Sequence, residues 1–200
     1  MCGKIVSRET SQHLRRDCLR GGHAGIEASL IASRLGRKVA LVSLDTNSLG
    51  RMSCNPAIGG LAKGQLVKEI DVLGGIMGAA ADFAGLQFKL LNRSKGRSVW
   101  SPRAQVDKRK YEKFVSSSVF NQKQIKIIQG EVVALKIKHG RLCGVVLRGG
   151  ETLAARSAVL TCGTFLNGLI HIGQKKIRAG RMGESAAEGI TEALSSYGFL

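Results

Sequence analysis

An α/β fold, a parallel sheet with an antiparallel meander set into it, is what this sequence predicts, and three features predict it. A glycine-rich turn, Gly21-Gly22-His23-Ala24-Gly25, leads into a helical period and then into the aliphatic run Val39-Ala40-Leu41-Val42, the helix-then-strand order of a βαβ unit. After Ile125 the period changes to that of strands. The composition agrees, because 26 glycines and only 4% aromatic residues call for a core of small aliphatic side chains threaded through many tight turns.

Taken in order, the first helix starts at His23, carries Ile26, Leu30, Ile31 and Leu35 on one face and stops at Gly36, which suits a left-handed C-cap. Val39-Ala40-Leu41-Val42 has the unbroken apolar character of a parallel strand covered on both faces. Residues 45–64, rich in Gly, Asn, Ser and Pro, are too long for an ordinary connection and are predicted to be a functional loop. A second helix bears Leu66, Ile70 and Leu73 and ends at Gly74-Gly75, and a third spans Gln105 to Phe120. Strands follow at Ile125 to Ile128, Val132 to Lys138, Leu142 to Leu147 and Thr152 to Arg156, with turns at His139-Gly140 and Gly149-Gly150, and read together as one antiparallel meander. A last strand, Ala158-Val159-Leu160-Thr161, runs into the glycine-containing turn Cys162-Gly163-Thr164.

Charge and cysteine usage bound the partners. Lys and Arg number 31 against 14 Asp and Glu, a formal net charge of +17, which fits a polyanionic partner such as nucleic acid or a solvated basic surface. Cys2, Cys18, Cys54, Cys143 and Cys162 are scattered without a C-x-x-C pair, and His13, His23, His139 and His171 lack ligand spacing. Neither a disulfide framework nor a metal is expected, and a reducing cytosol fits best. No apolar run approaches the ~18 residues that cross a bilayer, and the N-terminus carries Arg and Asp where a signal peptide is apolar. A soluble, cytoplasmic chain is expected.

In G-x-G-x-x-G register Gly22 and Gly25 fill the second and third glycine positions, and Arg20 stands in the first. The second glycine lets a pyrophosphate approach the backbone at the helix N-terminus, and the third lets the helix pack closely on its strand. Alone, the same letters would also serve a plain glycine-rich helix entry. The preceding Arg15-Arg16-Asp17-Cys18-Leu19 is too charged for a buried central strand, so residues 1–20 are set apart as an aberrant N-terminus that has lost the first strand. We offer a hypothesis from the genetic code. Leu14 to Arg20 can be encoded as CTT CGA CGT GAT TGT CTC CGG. Read one nucleotide later, these bases specify Phe-Asp-Val-Ile-Val-Ser and open a glycine codon, which supplies an apolar strand and the missing glycine together. A frameshift near residue 20 follows, and other codons in the DNA would end the idea.

Recognition becomes specific at Met52-Ser53-Cys54-Asn55-Pro56-Ala57-Ile58-Gly59-Gly60 and continues through Leu61-Ala62-Lys63-Gly64-Gln65-Leu66-Val67-Lys68-Glu69-Ile70-Asp71. It returns in Gln87-Phe88-Lys89-Leu90-Leu91-Asn92-Arg93-Ser94-Lys95-Gly96, Trp100-Ser101-Pro102-Arg103-Ala104-Gln105, Gly163-Thr164-Phe165-Leu166-Asn167-Gly168 and His171-Ile172-Gly173. These segments resemble the MnmG (GidA) family of transfer-RNA-modifying flavoproteins, at ungapped spacing over residues 21–200. The resemblance implies a FAD-binding Rossmann-like domain of the two-dinucleotide-binding flavoprotein type, with an inserted segment, truncated after Leu200. It implies addition of a carboxymethylaminomethyl or aminomethyl group at carbon 5 of wobble uridine, using FAD, NADH and methylene-tetrahydrofolate. The family works with the GTPase MnmE, as a homodimer, in the cytoplasm. The 200-residue chain alone is expected to be inactive.

Within that resemblance Cys54 is the candidate for covalent or acid–base work beside the flavin. A thiol near Arg51 and Lys63 would gain acidity, although a lone cysteine is more often a small buried hydrophobe. Gly21, Gly22, His23, Ala24 and Gly25 are the candidate FAD contacts, joined through the resemblance by Val132 at the start of the meander and by Gly163. Asp45, twenty positions after Gly25, stands where dinucleotide folds often hold a ribose, yet Asp before Thr-Asn-Ser also starts turns. Nine basic residues between Lys89 and Lys113 face only Asp107 and Glu112. With Trp100 and Tyr111 among them, this segment reads as an RNA contact that grips phosphates and stacks a base, or as a solvated helix face. Arg97-Ser98 departs from the Gly-Pro-Ala usual in the family. Two other readings stay open: a flavin-dependent oxidoreductase acting on a small molecule, and a non-enzymatic basic RNA-binding remnant that never turns yellow.

Overall fold

The computed structural model describes residues 16–19 in their backbone, and residues 22–52, 55–180 and 186–199. β1 (Arg16–Leu19) leads into α1 (His23–Arg34), which returns to β2 (Val39–Ser43). The two strands are parallel, Arg16 beside Val39 and Leu19 beside Val42, so the helix and its strands form the βαβ unit that the sequence predicts. All five residues of β2 are buried, which accounts for its unbroken apolar run.

α1 buries Gly25, Ile26, Ser29, Leu30 and Ser33, a stripe of helical period. Ile31 and Leu35, predicted on that face, are 40% and 61% exposed. Small residues take their place against the sheet, and the Ser29 hydroxyl donates back to the Gly25 carbonyl at 2.6 Å, so that it is buried without an unmet hydrogen bond. Gly36, at φ +70°, ends the helix.

The first strand is a second difference. The sequence argues for its loss, yet the backbone of Arg16–Leu19 pairs with β2 on one side and with Ala158 to Leu160 on the other. Strand pairing uses backbone N–H and C=O groups, which every residue except proline carries in full.

The long loop is also partly regular. After a 3₁₀ turn at Thr46–Ser48 come β3 (Ala57–Gly59), α2 (Lys63–Val72), α3 (Met77–Ala84) and the hairpin of β4 (Gly85–Leu91) and β5 (Ser101–Val106). These three strands form an antiparallel sheet in the order β3-β5-β4. Gln105, predicted to open a helix, belongs to β5. α4 (Lys108–Phe120) starts after it, capped by Asp107, whose carboxylate accepts the Lys110 N–H at 2.9 Å.

β6 (Ile125–Gln129), predicted in the meander, instead pairs parallel with β2, Val39 beside Ile125. The meander itself is β7 (Val132–Lys138), β8 (Arg141–Leu147) and β9 (Thr152–Ala154), turned at His139 (φ 49°) and Gly140 (φ 70°). β10 (Ala158–Leu160) then returns to the parallel sheet, whose order is β10-β1-β2-β6. A hairpin of β11 (Leu169–Ile172) and β12 (Lys175–Arg178) precedes α5 (Ile190–Ser196).

Two apolar cores result. One packs Ile26, Leu30, Val39, Leu41, Tyr111, Val115 and Val119 between the helices and the sheet. The other packs Val42, Val132, Val145, Leu147, Leu153 and Ile190 between the sheet, the meander and α5. Leu66 and Leu73, the predicted apolar face of the second helix, are 56% and 75% exposed. Among the described residues no helix is long and apolar enough to cross a membrane.

Candidate functional site

The site grows from the start of α1. Gly22 is the N-cap, in extended backbone at φ −74° and ψ 171°, and no side chain caps the helix. Its first N–H groups and the positive end of the helix dipole therefore face outward. A Cβ built on Gly22 would meet no atom of the described residues within 4 Å, so among these residues nothing covers the helix start. His23 is half-buried, Ala24 exposed and Gly25 buried beneath them. Gly21 and Cys54 lie outside the described residues.

Two cavities share this end of the molecule. The first lies at the carboxyl ends of β2, β6 and β10 and is lined by Val42, Leu44, Gly130, Glu131, Val132 and Cys162. Since β1, which feeds Gly22, sits between β10 and β2, this cavity and the start of α1 occupy one edge of the sheet, where open α/β sheets bind their ligands. Gly163, at φ +59°, follows Cys162 directly and would accept a Cβ without contact, but it does not line the cavity. The second cavity, about 370 Å³, is walled by His23, Arg51, Met52, Asn55, Ile58 and Met77. Met52 and Asn55 are the described residues on either side of Ser53-Cys54.

Carboxylates brace both cavities. Beside the first, Glu131 accepts from Arg148 Nε at 2.5 Å and Nη2 at 2.9 Å, and from the Glu188 N–H at 2.8 Å. The hydrogen bond from Arg148 is the main cause that holds the Glu131 carboxyl below its usual range. Beside the second, Glu27 of α1 accepts the N–H groups of Ile76, at 3.0 and 3.1 Å, and Met77, at 2.8 Å, which secures the start of α3. Glu112 of α4 accepts the Met52 N–H at 3.0 Å. Neither Glu27 nor Glu112 stands out as a site residue in the sequence. The available signal for Glu27 is an acid set among the apolar residues of a core helix.

Tyr111 is a correction. The sequence offers it as a surface for stacking a base, but it is fully buried, its ring 5.6 Å from that of His23. No described group hydrogen-bonds its hydroxyl. Burial first, and the nearby Glu27 charge second, push its phenol well above the ordinary range. Trp100 is half-buried, donates from Nε1 to the Arg93 carbonyl at 3.1 Å, and has the Arg97 guanidinium 5.8 Å from its ring centroid. The surrounding cations Arg93, Lys95 and Arg97, and Lys108, Arg109, Lys110 and Lys113 of α4, are exposed. Asp45 lines neither cavity. It accepts the Asn47 N–H at 2.9 Å and faces Arg51 at 3.6 Å, as a turn residue does. Among the described residues no group of three or more His, Cys, Asp or Glu could hold a metal ion.

Known proteins resemble this chain in sequence and fold. The family model described as Glucose inhibited division protein A matches residues 19–200. The tRNA uridine 5-carboxymethylaminomethyl modification enzyme MnmG of Aquifex aeolicus is 49% identical over 179 residues, covering 90% of this chain and 29% of that protein. That of Parabacteroides distasonis is 50% identical over 177 residues, covering 88% and 28%. The chain thus spans under a third of the length of these curated relatives. Among solved structures, GidA of Aquifex aeolicus superposes with a TM-score of 0.88 at 46% identity, over 94% of this chain and 31% of that one. The GidA-related protein from Thermus thermophilus gives 0.68 at 16% identity, over 94% and 70%, and so shares the fold. Matched from the last residue of its first strand to its own last residue, and about half identical to such relatives, the chain belongs to the GidA family.

Proposed function

We propose that this chain is the FAD-binding part of a flavoprotein that adds a carboxymethylaminomethyl or aminomethyl group at carbon 5 of wobble uridine in transfer RNA. The observation that carries this reading is the open start of α1 at Gly22, on the same edge as the cavity at Val132 and beside the cavity at His23. An extended dinucleotide needs a pocket for its adenosine, a backbone-lined helix start for its pyrophosphate and a cleft for its flat ring. The helix start and the second cavity fit that need, whereas the first cavity, about 30 Å³, marks the edge where the adenosine end would lie and does not itself enclose it. Gly22 to Gly25 would hold the pyrophosphate, with Gly21 beside them in the chain. Val132 would border the adenosine, and Gly163 would flank it through its neighbour Cys162. The cleft between His23 and Asn55 would take the isoalloxazine.

Bound there, FAD would supply two-electron redox chemistry. The chain's own residues bind and orient it: Arg51 brings positive charge to the cleft, and Met52, Ile58 and Met77 form apolar walls. Cys54 keeps the role drawn from the family resemblance, covalent or acid–base work beside the ring. The names of the relatives support transfer RNA as substrate, and the net charge of +17 supports contact with its phosphates. The proposal extends to NADH, methylene-tetrahydrofolate, the GTPase MnmE and a cytoplasmic homodimer, all as properties of the whole protein. Residues 21–200 would be its FAD-binding portion, residues 1–20 an aberrant segment, and the chain alone inactive.

FAD titration of the purified chain, followed by absorbance and fluorescence, tests the proposal through Gly22→Ala. A methyl at φ −74° with no atom of the described residues within 4 Å changes unfolding free energy by less than about 0.5 kcal/mol. The same methyl stands where a pyrophosphate must approach the backbone, so FAD affinity falls by more than about tenfold. A parent chain that leaves the absorbance and fluorescence of added FAD unchanged refutes the reading, as does Gly22→Ala binding as tightly as the parent.

A further inference from the structure

We propose that Tyr111 and Glu112, consecutive residues of α4, position two of the residues that wall the cleft, His23 and Met52, an inference that rests on the cofactor reading above. By sequence α4 is a basic, solvent-facing helix, and Lys108, Arg109, Lys110 and Lys113 are indeed exposed. Its other face is different. Tyr111, Val115 and Val119 recur every fourth residue and are all buried, which seats the helix firmly in the core.

Three independent contacts tie that seat to the cleft. The Tyr111 ring packs against His23 at a centroid distance of 5.6 Å and an interplanar angle of 41°, backing the wall formed by the start of α1. Glu112 accepts the Met52 N–H at 3.0 Å, fixing the wall formed by the loop that leads to Cys54. Gly50, two residues before Met52, has φ +69° and lies so close beneath α4 that a Cβ there would come within 2.6 Å of Val115 Cγ1. The loop is thus pressed onto the helix by shape as well as held by a hydrogen bond. Both walls take their position from one rigid element, and the width of the cleft is set by the seat of α4.

Glu112→Ala removes the acceptor, and Glu112→Gln restores one at the same reach. Glu112→Ala should weaken FAD binding about tenfold, and Met52 amide hydrogen exchange should speed up by a similar factor, since a lost charge-assisted bond is worth at least that much. Glu112→Gln should recover most of both effects. Tyr111→Leu should shift the His23 ring proton resonances and weaken FAD, with rescue by Tyr111→Phe, which keeps the ring. The Glu112 pair carries the test should Tyr111→Leu not fold. A parent chain that binds no FAD overturns the cofactor reading and this inference with it. FAD binding that Glu112→Ala leaves unchanged overturns this inference alone, as does a Glu112→Gln as impaired as Glu112→Ala.

Discussion

Glu27→Ala offers the sharpest test of how the helices around the cleft are tied together. The carboxylate leaves α1 and receives the N–H groups of Ile76 and Met77, three contacts between 2.8 and 3.1 Å. α3 has no side-chain cap of its own, and Ile76 is only 8% exposed, so water cannot easily replace the carboxylate there. A hydrogen bond to a charged acceptor is worth roughly 1.5–3 kcal/mol, and a negative charge at a helix N-terminus adds about 0.3–1 kcal/mol. Glu27 is half-buried, so the lower ends apply. Two donors left bare and one dipole interaction lost then come to about 3 kcal/mol. For a chain of 200 residues each kcal/mol moves Tm by roughly 2–4 °C, which predicts a fall of roughly 6–12 °C. Glu27→Gln keeps a neutral acceptor and should lose about half of this. Thermal and urea unfolding followed by circular dichroism measures both. Glu27→Ala within about 1 kcal/mol of the parent would refute the reasoning.

Two further outcomes follow from charge. Arg148 holds the Glu131 carboxyl below its usual range, so this pair contributes fully at neutral pH and its contribution is lost as pH falls through the depressed folded value. Unfolding free energy against pH should therefore differ between the parent and Arg148→Met above about pH 4 and converge below it. A constant gap through acid pH would show that Arg148 acts by packing. At the tip of the β4–β5 hairpin, replacing Arg93, Lys95 and Arg97 together with Ser should weaken transfer RNA binding and reduce the slope of log affinity against log salt by about 2–3. An unchanged slope would place the phosphates elsewhere.

Much of this fold can be read from the chain, and the exceptions share a cause. α1, β2 and the meander each announce themselves through local period and through glycines that turn the chain, such as Gly36 and Gly140. β6 is equally plain as a strand, but its partner is β2, some 85 positions earlier, and no local pattern tells a parallel partner from the next strand of a meander. Gln105 sits among residues that a helix accepts readily, and pairing with Ala57 and Gln87 draws it into a sheet instead. Tyr111 misleads because its neighbours in sequence are Lys110 and Glu112, whereas Val115 and Val119, one and two turns on, show which way it points. Gly22 and Gly25 are visible as candidates because a backbone that a pyrophosphate approaches closely calls for glycine, and Val132 is named through the family resemblance alone. Glu27 and Glu112 are not visible, since each accepts N–H groups about 50 to 60 positions away and any carboxylate there would look the same.

That difference separates residues that face a ligand from residues that hold those residues still. In α4 the division runs along a single helix. Its outer cations give the chain much of its basic character in this region, and their spacing alone would suit any polyanion-binding surface. The inner turn carries the consequence for chemistry, because His23 rests on Tyr111 and the Met52 amide on Glu112. An α-helix with its side chains is about 10–12 Å across, so a phosphate gripped by Lys110 or Lys113 would lie about one helix diameter from the His23 wall. Nucleic acid held on that face would bear on the same rigid element that sets the cleft. Under the proposed function, substrate contact and cofactor geometry would meet in α4 without a moving part, and a shift of this helix by the width of one hydrogen bond would be felt on both sides.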